Sequence, residues 1–344
     1  MAPARTRGSL WRASTTLILV GLAVLGLVLG PAVGPAGIPL GDVVDAILGG
    51  LGLPAGEVSP ITRVIVWDLR LPGTVTAAAI GAILGMCGAV MQAVTRNDLA
   101  DPYLLGLSSG ATVGAVTAFL AGASLLMPVG AFVGALAALA LTLTIAHAGG
   151  RASNASIILA GIAVSALAAA VTSLLIFRAG SSNAYQEIIG WLLGSIQANG
   201  WPGAGLAVAA LLVFGPPVLA SSRLLDGFGL GDLTMESLGI PAGVVRLAFL
   251  CAVSLLTAIA VSLSGAIGFI GLVMPHIARL LVGRGNAAVL PYSALLGAIF
   301  LTYAEVASRT LVQPEQIPVG VVTALAGAPV FGLLLIRAQF VRAR

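Results

Sequence analysis

Ten stretches of membrane-spanning length recur along this chain, at residues 15–33, 72–94, 103–121, 126–147, 155–177, 201–220, 246–263, 266–281, 288–308 and 318–337. About 20 apolar residues cross the hydrocarbon core as a helix. In lipid every backbone polar group must find a partner within the protein, which leaves helices and closed barrels as the spanning structures. Segments this long and this apolar predict an all-α polytopic membrane protein with about ten transmembrane helices. Composition agrees: 59% of the 344 residues are apolar and 8% are charged, where a soluble domain carries about 25% charged residues. Mean hydropathy is +1.10. Residues 1–344 read as one transmembrane domain, with the segment at 266–281 short and glycine-rich enough to be a partial span or a broken helix.

All sixteen basic residues are arginine and the net charge is +4. The arginines form no basic patch with interleaved aromatics, so no nucleic-acid partner is expected. They serve better as topology signals, because loops on the cytoplasmic side collect Lys and Arg. With ten spans and a cytoplasmic N-terminus, twelve arginines fall inside and four, Arg63, Arg70, Arg178 and Arg309, fall outside. An odd span count would lose that bias. Both termini are therefore expected in the cytoplasm, with Thr15–Gly30 a retained first helix rather than a cleaved signal.

Between the spans, Leu40–Leu51 reads as an amphipathic outer helix, and polar intervals lie at Arg178–Gly200 and Ser221–Pro241. Glycines at four-residue spacing (Gly81 and Gly85; Gly106, Gly110 and Gly114; Gly130 and Gly134) predict closely packed helices. Cys87 and Cys251 sit in apolar segments and are expected to pack as small hydrophobes.

Several chemistries are missing. A P-loop needs a lysine on the nucleotide phosphates, and this chain has none. His147 and His276 have no second ligand in metal-binding spacing, so no metal site and no catalytic residue is expected. Span interiors are nearly free of the ionisable groups that ion-driven carriers use. Only Asp101 and Glu305 come near a span, each at its end. A secondary carrier driven by an ion gradient is the alternative from a different class.

Five motifs then resemble one family. They are Trp67-Asp-Leu-Arg70-Leu-Pro72, Arg96-Asn-Asp-Leu-Ala-Asp101-Pro102 running to Ala111, and Gly231-Asp232-Leu-Thr-Met-Glu236-Ser-Leu238-Gly239-Ile-Pro241. Gly265-Ala-Ile-Gly268 through Arg279 and Ile317-Pro318 through Phe331 complete the set. In content and order they resemble the bacterial inner-membrane permeases of ABC importers for iron-siderophore, haem and vitamin B12, from about residue 63 onward. Two positions depart from the family: Asp98 stands where proline is usual, and Gly73 where a second arginine is common.

The resemblance implies a type II, vitamin B12-importer-like fold in the inner membrane. It implies two ABC ATPase subunits as partners, a second permease copy (a homodimer), and an extracytoplasmic substrate-binding protein. No cofactor is expected on this chain; ATP and Mg belong to the ATPase subunits, so the chain itself is not an enzyme. Residues 221–241 would be the cytoplasmic coupling helices, with Leu230, Gly231, Asp232, Glu236, Leu238 and Gly239 at the ATPase interface and Leu230, Leu233, Met235 and Leu238 as its apolar face. Arg70 and Arg309 match the arginines that meet the binding protein. The fifth span would line the path, with Asn154 in the inner loop 149–154 at the gate. Ser156, Ser165, Thr172 and Ser173 either line that path or hydrogen-bond neighbouring helices. Asp101 is a helix N-cap by its position before Pro102. A ferric siderophore is the expected cargo, with haem and cobalamin as alternatives.

Overall fold

A computed structural model describes residues 4–148, 153–178, 182–196, 200–313 and 315–342. Helices make up all the regular structure among them. In chain order they are α1 (Ala4–Ala32), α2 (Leu40–Gly50), α3 (Pro60–Arg63), α4 (Leu71–Thr95), α5 (Leu107–Leu120), α6 (Met127–His147), α7 (Asn154–Arg178) and α8 (Ser182–Leu192). There follow α9 (Gly200–Ala220), α10 (Ser222–Phe228), α11 (Asp232–Ser237), α12 (Ala242–Ser264), α13 (Ile270–Val282), α14 (Asn286–Thr310) and α15 (Val319–Arg342).

Among the described residues, seven helices are long and apolar enough to cross a membrane by length and composition: α1, α3 with α4, α6, α7, α9, α12 and α14. Shorter apolar helices, Leu107–Leu120, Ile270–Val282 and Val319–Leu334, stand at the third, eighth and tenth expected segments. Two of them are short because the backbone breaks. Gly106 takes φ +81° after a 3-10 turn at Pro102–Leu105, so α5 starts late. Ahead of α13, Gly265 and Phe269 take φ +66° and +70°. The left-handed region is strained for a residue with a β-carbon, so Phe269 is held there by its surroundings. It packs on Gly327 of α15, where an added β-carbon would lie 2.5 Å from that of Phe269.

The second span runs longer than its apolar pattern. Helix continues from Pro60 to Thr95, winding as a π-helix over Val64–Arg70. Pro72 lies just beyond. Proline has no N–H and its ring crowds the carbonyl four residues back, and a π-turn is one way a helix absorbs such a defect.

α4 is buried along most of its length and forms the axis of the fold. Glycines make the contacts around it. A β-carbon on Gly81 would strike the Gly297 carbonyl, one on Gly85 that of Ser293, and one on Gly88 that of Gly271. α5 and α6 interlock likewise through Gly110 with Gly134 and Gly114 with Gly130. The four-residue spacing thus works as expected, letting backbones approach within van der Waals contact. Cys87 is buried as expected; Cys251 is not, lying exposed on α12.

Two ends of the bundle follow from the contacts. At the near end Arg12 of α1 donates to the Val282 carbonyl of α13, and Asp226 of α10 accepts from Asn286 of α14. At the far end Arg309 of α14 donates to the Gly30 carbonyl of α1. The far end also carries α2, amphipathic as expected and buried through Val43 and Ala46. α8 occupies the interval read as polar; its Ile188 is fully buried.

Candidate functional site

At the near end, Ser221–Pro241 folds as two short helices, α10 and α11. Glycines bracket α11: Gly231 at φ +95° and Gly239 at φ +78°. The six-residue helix buries one side chain, Met235. Leu233 is 84% exposed, Leu238 65% and Leu230 63%. Three of the four leucine and methionine positions expected to form an outward apolar face therefore do so, while Met235 turns inward as the anchor. Glu236 is exposed beside them.

Asp232 behaves differently from that expectation. Its carboxylate faces the bundle, where Arg246 Nη2 donates to Oδ1 and Oδ2, both at 2.7 Å. Arg96, which closes α4 in the left-handed conformation (φ 54°), lies 3.9 Å from Oδ1. Beside them opens a cavity of about 880 Å³. Arg246 and Arg96 were legible in the sequence only as charges on one side of a membrane. Nothing in a separation of fourteen residues across a Gly-Ile-Pro break marks 232 and 246 as a pair.

At the far end, Arg70 and Arg309 do not project outward. Arg70 is 7% and Arg309 3% exposed. Arg70 donates from Nη1 to the Pro31 and Ala32 carbonyls and from Nη2 to that of Ala36, each at 3.2 Å. Arg309 Nη2 donates to Glu305 Oε2 at 2.7 Å and to the Gly30 carbonyl at 3.0 Å. The last carbonyls of a helix have no partner within it, and these arginines supply one for α1. Arg309 keeps two buried donors, Nε and Nη1, without a partner. Arg309, Arg70, Glu305, Ile65, Leu69 and Gln316 line a pocket of about 260 Å³. An added β-carbon on Gly73, where the family commonly has arginine, would lie 3.6 Å from Glu305 Oε1.

On α7 the four hydroxyl residues do not share a face. Nine residues separate Ser156 from Ser165, about two and a half turns, which places them on opposite sides. Ser156 is occupied in a reciprocal cap with Ser153: its Oγ accepts from the Ser153 N–H at 2.8 Å, and Ser153 Oγ accepts from its N–H at 3.1 Å. Ser165 is half-buried. Thr172 is buried with its hydroxyl unpaired, and exposed Ser173 donates back to the Ala169 carbonyl. Asn154 donates to the Thr95 carbonyl at 3.0 Å, tying the start of α7 to the end of α4. Of the expected gate loop 149–154, residues 149–152 lie outside the described residues.

The connection from α4 to α5 is stitched to α13. Asp101 caps the 3-10 turn as expected, accepting from the Tyr103 N–H at 2.8 Å. Burial pushes its carboxyl up to about 6, against the pull of that N–H toward the charged form. The Tyr103 hydroxyl donates to the Ile267 carbonyl and accepts the Ile267 N–H. Gln92 Nε2 donates to the Gly271 and Leu272 carbonyls, and its Oε1 accepts from Arg279, which also meets Asp98 at 3.4 Å.

Comparison with known proteins follows this architecture closely. The FecCD transport family profile matches residues 18–337. The chain is 39% identical to an uncharacterized ABC transporter permease protein, YvrB, of Bacillus subtilis, over 93% of each chain. It is 35% identical to the cobalamin import system permease protein BtuC of Halobacterium salinarum over the full length of both. With the iron-uptake system permease protein FeuC of Bacillus subtilis it shares 35% identity over 81% of this chain and 86% of that one. Among solved structures, a metal-chelate type ABC transporter in an inward-facing conformation superposes with a TM-score of 0.79 at 29% identity, covering 94% of this chain and 99% of the other. With seven long and three short apolar helices among the described residues, glycine-locked around α4, and a family match that runs from α1 to α15, the chain belongs to the FecCD transport family.

Proposed function

We propose that this chain is the membrane-spanning permease of an ATP-driven ABC importer for a metal chelate or corrinoid, with a ferric siderophore as cargo and haem or cobalamin as the alternatives. The observation that carries this reading is α11, a short glycine-bracketed helix that displays Leu233 to solvent at the arginine-rich end, with exposed Leu230 and Leu238 on the turns at either side of it. Exposed apolar side chains on a rigid turn of helix are what a partner groove takes up. A lone carrier has no use for such a projection.

Residues 1–344 act as one permease domain, with 221–241 as its coupling segment. The near end is cytoplasmic, as are both termini, because the arginine bias favours that side. Two ATPase subunits receive α11 with Glu236 at the rim. They bind ATP and Mg, while this chain carries no catalytic residue and no cofactor. A second copy completes the path, to which α7 contributes its exposed face, and a binding protein delivers cargo at the far end.

Docking of that binding protein draws on Arg309. Arg309 lines the 260 Å³ pocket and carries two buried donors without partners. An incoming carboxylate satisfies them by the planar geometry that suits arginine. Arg70 holds the rim through the α1 carbonyls rather than meeting the partner itself.

The test is reconstitution with the ATPase in lipid, adding binding protein loaded with ferric siderophore, haem or cobalamin in turn. ATP-dependent uptake of one cargo is the expected result. Uptake under an ion gradient with no stable ATPase complex overturns the reading in favour of a secondary carrier. Glu236→Arg is expected to leave the complex hydrolysing ATP with uptake lost; unimpaired uptake removes Glu236 from the interface.

A further inference from the structure

Arg246 joins both short helices to the spanning bundle. It lies in the second turn of α12 and is 7% exposed. Its guanidinium grips Asp232 at the start of α11 through two 2.7 Å hydrogen bonds. The same group stacks 5.4 Å from the ring centre of Phe228, the last residue of α10. Phe228 is fully buried and meets Phe249 of α12 edge-on at 6.5 Å. A second cation, Arg96 at the end of α4, reaches the same carboxylate.

The backbone offers no comparable link. α11 is bounded by left-handed glycines on both sides, and a β-carbon on Gly239 would meet nothing within 4 Å. The cavity lined by Arg96, Asp232, Leu233, Glu236, Val244 and Arg246 leaves the helix room to move. Movement imposed on Leu233 and Leu238 thus reaches the bundle through flexible glycine turns, through the non-directional apolar contact of buried Met235, or through the charge-assisted pair of Asp232 with Arg246 Nη2, which is short and directional.

Stability alone is a poor account of this pair. Asp232 is 36% exposed on its side chain, and pairs open to solvent contribute little. Arg246 Nε is meanwhile buried without a partner, a cost that a well-packed apolar residue would avoid.

We propose that Arg246 is a positioning residue that passes the movement of α11 into α12 and, through Asp232 and Arg96, into α4. The inference rests on the ABC-importer reading, and its test separates the two. In proteoliposomes holding the permease–ATPase complex and binding protein, cargo taken up is measured against ATP hydrolysed, with ferric siderophore, haem and cobalamin as probes. Arg246→Gln is expected to lower cargo per ATP by about ten-fold, within the range of a lost coupling interaction. Arg246→Lys keeps the charge but not the planar group that lies over Phe228, and is expected to fall between. The exchange Asp232→Arg with Arg246→Asp is expected to recover part of the ratio.

A residue that only stabilised the fold would lower uptake and hydrolysis together and leave the ratio alone, and that result overturns the proposal. If Arg246→Gln does not assemble, Arg246→Lys and Arg96→Gln decide: wild-type ratios in both overturn it. A wild-type chain whose uptake ignores ATP overturns the importer reading and this inference with it.

Discussion

The two ends of the bundle each bury one arginine against one carboxylate at 2.7 Å, yet the pairs do different work. Arg309 and Glu305 are four residues apart on one helix, and both are almost wholly buried. Their geometry travels with α14, so the pair cannot report the movement of one helix against another. What it does is hold α1, through the Gly30 carbonyl. Arg246 and Asp232 sit on separate helices across a glycine break, with the carboxylate partly in solvent. That pair registers where α11 stands relative to α12. Identical chemistry is thus a local brace at one end and a joint at the other, and the difference lies in which elements the partners occupy.

The largest effect expected from breaking this comparison is at the brace. Glu305→Ala leaves Arg309 buried with a single carbonyl for company, and losing one partner of a buried pair costs about 3–5 kcal/mol. Little folded protein should be recovered in detergent, whereas Asp232→Ala should melt much closer to wild type. Equal losses would mean that both pairs are braces.

Next is Arg70→Lys. A single ammonium cannot span the Pro31, Ala32 and Ala36 carbonyls as the fork does, and about 1–2 kcal/mol should be lost with them. Thermal melting measures this, and protease sensitivity after Ala32 should rise with it.

Asp101→Asn sharpens the contrast with carboxylates that have an arginine. With its carboxyl pushed up to about 6, Asp101 stabilises the fold fully below its ordinary value near 3.8. That contribution is lost as pH rises through 6. Asparagine keeps the acceptor for the Tyr103 N–H without the titration. Its melting temperature relative to wild type should therefore climb between pH 4 and pH 7; a flat difference would show that Asp101 is not the source.

The smallest effect is expected at Ser153→Ala, which removes one half of the α7 cap and costs about 1 kcal/mol. It should leave both arginine pairs and cargo per ATP untouched.

Much of this was legible in the residues. Segment spacing announced ten apolar helices, and the glycine repeats announced that helices would pack closely, though not which ones would touch. Asp101 before Pro102 announced a cap, and Glu305 four residues before Arg309 matches the pairing distance of a helix. The pair of short helices at 221–241 was readable from its motif. The inward turn of Asp232 and Met235 was not, because six residues do not establish which face a helix buries. The nine-residue spacing already put Ser156 and Ser165 on opposite faces of α7, but not which face packs, since an apolar helix exposed on one side and packed on the other carries no polarity contrast in lipid.

What the chain determined by itself was its solvent and its helices: so apolar a sequence must bury its backbone hydrogen bonds within helices and shed its few charges to their ends. Only the tertiary structure decided what those charges meet. Arg70 and Arg309 turn in to the carbonyls of α1, and Arg246 turns to Asp232. The reason is geometric. A buried guanidinium seeks acceptors, and which ones stand within hydrogen-bonding distance depends on how distant segments are folded against each other.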